Sequence, residues 1–420
     1  MIITVLVTLM LVYLGAWALY GGLANIPRRE FLRRFLLTTA SLVLTLFLAE
    51  TPALLDLVDY RTVLGSFESD SALTVTGRHA DPELLWKHDP YYQYDEPYQG
   101  NLGAALCVPP DPSQSVTVRY DRHGFRNSRN LDRADIVVLG DSNIEGYLTA
   151  EAELATTKLS QLQSKVVANL GHSGYGPQQE LVVLKRYGLP LQPETVIWTF
   201  FEGNDLSDVE QYDRQRTQSS STWRHNVWYR SLTRNVFARL GRPVGPCTPS
   251  SHIAQFQAEF TDEHGQVRRV LFAPSEVQPF SEGPLEKAID AIAQAAMLCQ
   301  ERNIRFLVAF IPEKYRVYHR LNNVRFVSDA MASWRVSPLP AEIGRRLTAL
   351  KYNIRYVDLT PALAQASRRG IATYLPDDTH WTDQGNRVVA ETLDQALRNF
   401  FSYSKIPPQA SSHSDSGMRH

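Results

Sequence analysis

This chain of 420 residues lacks a surplus of charge of either sign. Lys and Arg number 43, Asp and Glu 44, and the formal net charge is −1. No basic excess exists to hold a phosphate backbone, so nucleic acid drops out as a partner. Cysteine is scarce as well: the three copies, Cys107, Cys247 and Cys299, form no metal-ligand spacing. Cys299 falls in the apolar phase of a helical stretch and reads as a buried thiol. Cys107 and Cys247 lie in proline-flanked loops and are able to pair in an oxidising compartment.

Charge is also missing locally, since residues 1–27 carry none. Ile2–Leu23 is long enough for a hydrocarbon core, which takes roughly 20 apolar residues. A second apolar run, Phe35–Leu55, is broken only by Glu50 and Pro52. Between the two, Arg28, Arg29, Arg33 and Arg34 stand against one glutamate, a basic loop expected on the cytoplasmic side. Two spans then leave both chain ends on the periplasmic or outer face. A cleaved leader would begin with a basic segment that "MIITVLVTLM" lacks. Residues 1–56 are therefore expected to be a retained anchor of two transmembrane helices, with the lipid bilayer as a partner.

Residues 57–134 are rich in Tyr, Pro, Asp and Gly and show little periodicity, which predicts an irregular leader packed on the domain C-terminal to it. From 135 to 402 short β-branched runs alternate with helical ones, the pattern of a parallel sheet covered by helices. The runs are Ile136–Leu139, Val166–Leu170, Val196–Phe200, Arg305–Phe310 and Ile354–Leu359. Helical stripes fall at Leu285, Ile289, Ile292, Ala296 and Cys299, and at Val389, Leu393, Leu397 and Phe400. Residues 206–284 form an insertion. Within it, residues 223–240 read as an amphipathic helix with arginines between its apolar positions, more simply a helix packed on the domain with its arginines solvated than a cap, a membrane-surface helix or a grip on anionic substrate. The tail 403–420 is polar, rich in breakers, and expected to be disordered.

In such sheets ligands sit beyond the carboxyl ends of the strands. The first strand ends in Gly140-Asp141-Ser142, the second in "NLGHSGYG" and the third in Gly203-Asn204-Asp205; "DDTH" (377–380) comes after the fifth. A serine hydroxyl attacks an ester only when a histidine takes its proton and a carboxylate holds the imidazole. Donors aimed at the developing oxyanion are worth roughly 3–4 kcal/mol each. Each fragment alone is ordinary turn chemistry; together, at one sheet edge, they form the set that acyl transfer needs.

These four blocks, in this order, resemble those of the SGNH (GDSL-type) hydrolases, over residues 135–400. The resemblance implies an α/β fold, a flavodoxin-like α/β/α sandwich of about five parallel strands, and no metal or organic cofactor. It implies Ser142 as nucleophile, His380 as general base, Asp377 as the partner of His380, and Ser142, Gly174 and Asn204 as oxyanion donors. Two further elements look family-like: "YDRHGFRN" (120–127), as in membrane-anchored relatives, and "FIPEKYRVY" (310–318) with Lys314 and Arg316. Both are expected to be loop packing with solvated basic residues.

The expected activity is a membrane-anchored serine esterase removing O-acyl groups, foremost O-acetyl, from cell-envelope or exported polysaccharide. One alternative is an O-acyltransferase with the same residues, which would need a membrane-protein partner to supply acyl groups. Another is a non-catalytic carbohydrate-binding or scaffold domain.

Overall fold

The computed structural model describes residues 13–21, 26–55, 57–58, 60–64, 77–219, 230–240, 247–274 and 280–403. The tail beyond 403 and most of the segment Ile2–Leu23 lie outside these. The chain divides into two compact units, residues 1–78 with 214–246, and residues 79–213 with 247–420.

In the first unit the helix Arg28–Leu54 is long and apolar enough to cross a membrane. It begins at Arg28, so the basic stretch expected as a loop forms its first two turns. The helical segment 13–21 packs on it through aromatic edges, Trp17 meeting Phe31 at 5.5 Å and Phe35 at 5.4 Å between ring centroids. Glu50, which interrupts the apolar run, has a partner: it accepts the amides of Leu232 and Thr233 at 2.8 and 2.6 Å. That satisfies orphan donors at the start of the helix Leu232–Leu240, the described part of the amphipathic stretch. Arg234 on this helix is buried, not solvated as expected.

The second unit is built on five strands, β1 (Ile136–Gly140), β2 (Val167–Gly171), β3 (Thr195–Phe201), β4 (Arg305–Ile311) and β5 (Ile354–Asp358). All pair in parallel, in the spatial order β5-β4-β3-β1-β2. A three-layer α/β/α sandwich of the flavodoxin-like order results. The central strands read as unbroken apolar runs because both faces are covered. Ile136, Val138, Ile197, Leu307 and Ala309 face one layer, packing with Leu159, Leu363, Val389, Leu393 and Leu397. Their alternates, among them Val137, Val196, Trp198 and Phe306, are buried on the opposite face.

Two regions hold more regular structure than periodicity suggested. The leader contains an antiparallel pair, Gln93–Tyr98 with Asp111–Arg119, and the helix Asn101–Ala105. Its strand alternates exposed Gln93 and Asp95 with half-buried Tyr94 and Glu96, a short polar pattern that Pro97 disguises. The insertion contains a second pair, Gln257–Thr261 with Val267–Leu271, extended to three strands by Val324–Phe326. Cys107 and Cys247 are joined in a disulfide, with Cα atoms 5.7 Å apart, and Cys299 is a buried free thiol.

Candidate active site

β1 delivers Ser142 through a turn that leaves no room for larger residues. A Cβ on Gly140 would lie 2.1 Å from Thr199 Oγ1, and one on Gly171, at the end of β2, 2.5 Å from the Glu145 amide. The Asp141 carboxylate accepts the Asn143 amide at 2.9 Å and so caps the single turn Ser142–Glu145. Gly146 closes that turn in the left-handed region, φ 64°. Ser142 is thereby fixed at the mouth of the turn, its Oγ 2.8 Å from His380 Nε2.

His380 Nδ1 lies 2.5 Å from Asp378 Oδ1. Asp378 is fully buried, and its carboxylate also accepts the His380 amide at 2.8 Å and the Asn101 amide at 2.6 Å. Burial alone would raise the Asp378 carboxyl, but the His380 charge and these donors outweigh it and hold it below the ordinary value. Burial likewise works against the imidazolium, yet the Asp378 charge and hydrogen bond raise His380 above its ordinary value. The ring of Tyr147 packs edge-on against the imidazole, centroids 5.2 Å apart.

The partner of His380 is therefore Asp378, not Asp377 as expected. The reason is local. A carboxylate that accepts the amide two residues on forms a tight side-chain turn, which carries the imidazole of that same residue over the carboxylate. Asp377 points the other way. Its carboxylate accepts from the Tyr98 hydroxyl, and its carbonyl accepts the Leu102 and Gly103 amides at 3.0 Å each. It is wedged so closely against the leader that a Cβ on Gly103 would lie 2.3 Å from Asp377 Oδ2.

Gly174 and Asn204 stand after β2 and β3, the two neighbours of β1. Gly174 is in the left-handed region, φ +76°, and the amides of Ser142 and Gly174 donate no hydrogen bond among the described residues. Asn204 Nδ2 donates to Asp208 Oδ2 at 2.7 Å. Burial, then the Asp141 charge, pushes the Asp208 carboxyl up to about 7.

Sequence reasoning missed the buried hub at Glu145. Its carboxylate accepts from the Ser173 hydroxyl at 2.5 Å and pairs with His88 Nε2 at 3.0 Å; the Ser173 amide and the Tyr120 hydroxyl also donate to it. One side chain thus ties the Ser142 turn to the loop bearing Gly174 and to the leader. Glu145, His88 and His172 bring ligand-type atoms within 4.8 Å of one another. The carboxylate is nevertheless filled by donors, and the two imidazoles stack face to face at 4.3 Å instead of converging. This is hydrogen-bond geometry, not tetrahedral or octahedral ligation. The available sequence signal was an acid inside a turn closed by Gly146.

Arg126, Lys314 and Arg316 of the two flanking elements are buried, contrary to expectation, and hold loops in place, while Arg122 stays partly exposed. Arg126 bonds the Glu145, Gly146 and Thr149 carbonyls, the last at 2.5 Å. Lys314 Nζ donates to the Leu271 carbonyl at 2.8 Å and reaches Pro376 O at 3.5 Å, just before the acidic pair. Arg316 is paired with Glu202.

Residues 270–419 match the protein family described as SGNH hydrolase-like domain, acetyltransferase AlgX. No curated protein matches the chain. Among solved structures it is similar to a GDSL-like lipase from Bacteroides thetaiotaomicron, at 14% identity over 63% of this chain and 88% of that one, TM-score 0.33. A lipolytic protein of the G-D-S-L family from Desulfitobacterium hafniense matches at 15% identity over 62% and 98%, TM-score 0.34. An acetyl-xylooligosaccharide esterase from Geobacillus matches at 11% identity over 64% and 95%, TM-score 0.35.

Proposed function

Because the chain belongs to the SGNH (GDSL-type) hydrolases, we propose that it is a membrane-anchored serine esterase that removes O-acyl, foremost O-acetyl, groups from carbohydrate outside the cytoplasm. The observation that carries this reading is the relay from Ser142 Oγ to His380 Nε2 at 2.8 Å and from His380 Nδ1 to Asp378 at 2.5 Å. In this account Ser142 Oγ attacks the acyl carbon as its proton passes to His380 Nε2. Asp378, ionised and buried, stabilises the imidazolium. The carbonyl oxygen, now an anion, lies against the Ser142 and Gly174 amides and the Asn204 side chain. Collapse of the tetrahedral species breaks the ester C–O bond, and the imidazolium returns its proton to the departing alcohol oxygen. Water then repeats the sequence on the acyl-serine, releasing the acid and restoring Ser142.

The acyl group is read as acetyl because the matched family is described by acetyl transfer. That description also favours a second reading, in which a sugar hydroxyl replaces water in the second half and the acyl group is transferred. The location rests on the apolar helix Arg28–Leu54 and on the Cys107–Cys247 disulfide, which suits an oxidising compartment. Full-length protein in detergent, given 4-nitrophenyl acetate and a partly O-acetylated oligosaccharide, should release acetate from both, and Ser142→Ala should release none. Acetyl appearing on an added unacetylated oligosaccharide in place of free acetate would favour the transferase. Equal turnover by Ser142→Ala would end both readings.

A further inference from the structure

A side-chain amide can serve as an oxyanion donor only if its nitrogen faces the oxyanion, and the amide of Asn204 has two ends of nearly equal shape. Its Oδ1 is buried with no hydrogen-bond partner among the described residues. Nothing on the oxygen side therefore selects an orientation. The selecting contact is on the nitrogen side, where Asp208 Oδ2 lies 2.7 Å from Nδ2. An ionised carboxylate only accepts, so it discriminates nitrogen from oxygen. Asp208 stands one helical turn on, its amide donating to the Asn204 carbonyl at 2.7 Å. Backbone and side chain thus lock the pair together.

The surroundings fix Asp208 in turn. A Cβ on Gly176 would lie 2.9 Å from Asp208 Cβ, so the loop carrying Gly174 runs directly against this helix start, and Asp208 sits where the two donor-bearing loops meet. The titratable groups around it, Asp141, Glu180 and Asp205, are all carboxyls.

We propose that Asp208 is the positioning residue of the oxyanion site: by taking one N–H of the Asn204 amide it turns the other toward the substrate oxygen. The proposal rests on the esterase reading above. It explains why a buried carboxylate is kept beside a centre that develops negative charge: the electrostatic cost is offset by a donor already oriented before the reaction.

A double-mutant cycle on the full-length protein tests it, with 4-nitrophenyl acetate at a pH well above 7. Asn204→Ala should lower kcat about 100-fold, as loss of one oxyanion donor does. Asp208→Ala should lower kcat about 10-fold with KM changed less than about twofold, the pattern of an interaction used in the transition state. The double variant should be no slower than Asn204→Ala within about threefold, because a residue that acts only through Asn204 has nothing left to position. Losses that multiply, or an Asp208→Ala kcat equal to the parent, would overturn the proposal. If Asp208→Ala fails to fold by its melting curve, Asp208→Asn, whose amide donates as well as accepts and so no longer selects the end of Asn204 that faces it, carries the same cycle and should lower kcat, but less than Asn204→Ala. Failure of the esterase reading itself would show differently, as undiminished turnover by Ser142→Ala.

Discussion

Ser142 and His380 arrive at one hydrogen bond from two kinds of scaffolding. Ser142 comes off β1, an interior strand with β3 on one side and the edge strand β2 on the other, and the donors Gly174 and Asn204 come off those same neighbours. Its position is set by parallel pairing and by glycines that let strands and turn touch. His380 has no sheet strand beneath it. Its loop is closed by an isolated bridge between Tyr374 and Trp381 and held from outside, by the Leu271 amide on the Pro376 carbonyl at 2.7 Å, by Lys314, and by the leader residues Tyr98 and Asn101–Gly103. One half of the centre is a product of the fold, and the other is assembled by contacts between distant segments.

The largest expected effect separates the two acidic neighbours in that assembled half. Asp378→Asn should lower kcat/KM about 10³–10⁴-fold, as loss of the orienting carboxylate does where it fixes the imidazole tautomer. Asp377→Asn should cost far less, since that side chain meets the leader and not His380. The pH profile sharpens the contrast. The base works only when neutral, and the Asp378 charge and hydrogen bond raise His380 above its ordinary value of 6.5. The rising limb of kcat/KM should therefore lie above that value in the parent and move to lower pH in Asp378→Asn. A larger loss at Asp377 would break the assignment.

A smaller effect tests whether the leader holds the acidic loop. In Gly100→Ala the new methyl would lie 2.3 Å from the Asp377 carbonyl oxygen, a backbone atom that cannot swing aside, so the adjoining helix Asn101–Ala105 and the acidic loop must move apart and weaken the Asn101 amide's hold on Asp378. Kinetics on an aryl acetate should show about a 10- to 100-fold drop in kcat/KM, the scale of a misplacement near 1 Å. Gly283→Ala, where a Cβ meets nothing within 4 Å, should leave activity unchanged and, lying in the helix Glu282–Gln300, should not lower the melting temperature. Parent-like kinetics for Gly100→Ala would mean that the loop keeps its shape without the leader.

The same division explains what was legible in the sequence. Ile136–Gly140 and Thr195–Phe201 could be read as buried strands because their apolar runs are continuous, and the small residues that end them pointed to Ser142 and Asn204. The choice between Asp377 and Asp378 could not be read. It depends on Asn101, 277 positions away, and on a side-chain turn that neither residue's type announces. Arg126 and Lys314 looked like solvated loop cations because nothing local reveals that carbonyls of residues 145–149, 271 and 376 converge on them. Glu145 was hidden for the converse reason: its partners come from three separate segments, and an acid in a turn is ordinary. The leader's strand 93–98 was missed because it buries only one narrow face and contains a proline.

The central claim is that Ser142 is a nucleophile activated by His380, and covalent trapping tests it most directly. Full-length protein treated with a fluorophosphonate, which is attacked by activated serines and loses fluoride, should gain one phosphonyl group by intact mass, located on Ser142 by peptide mapping. Ser142→Ala should gain none, and His380→Ala should react far more slowly. An adduct on another residue, or labelling of Ser142 at the same rate without His380, would contradict the account.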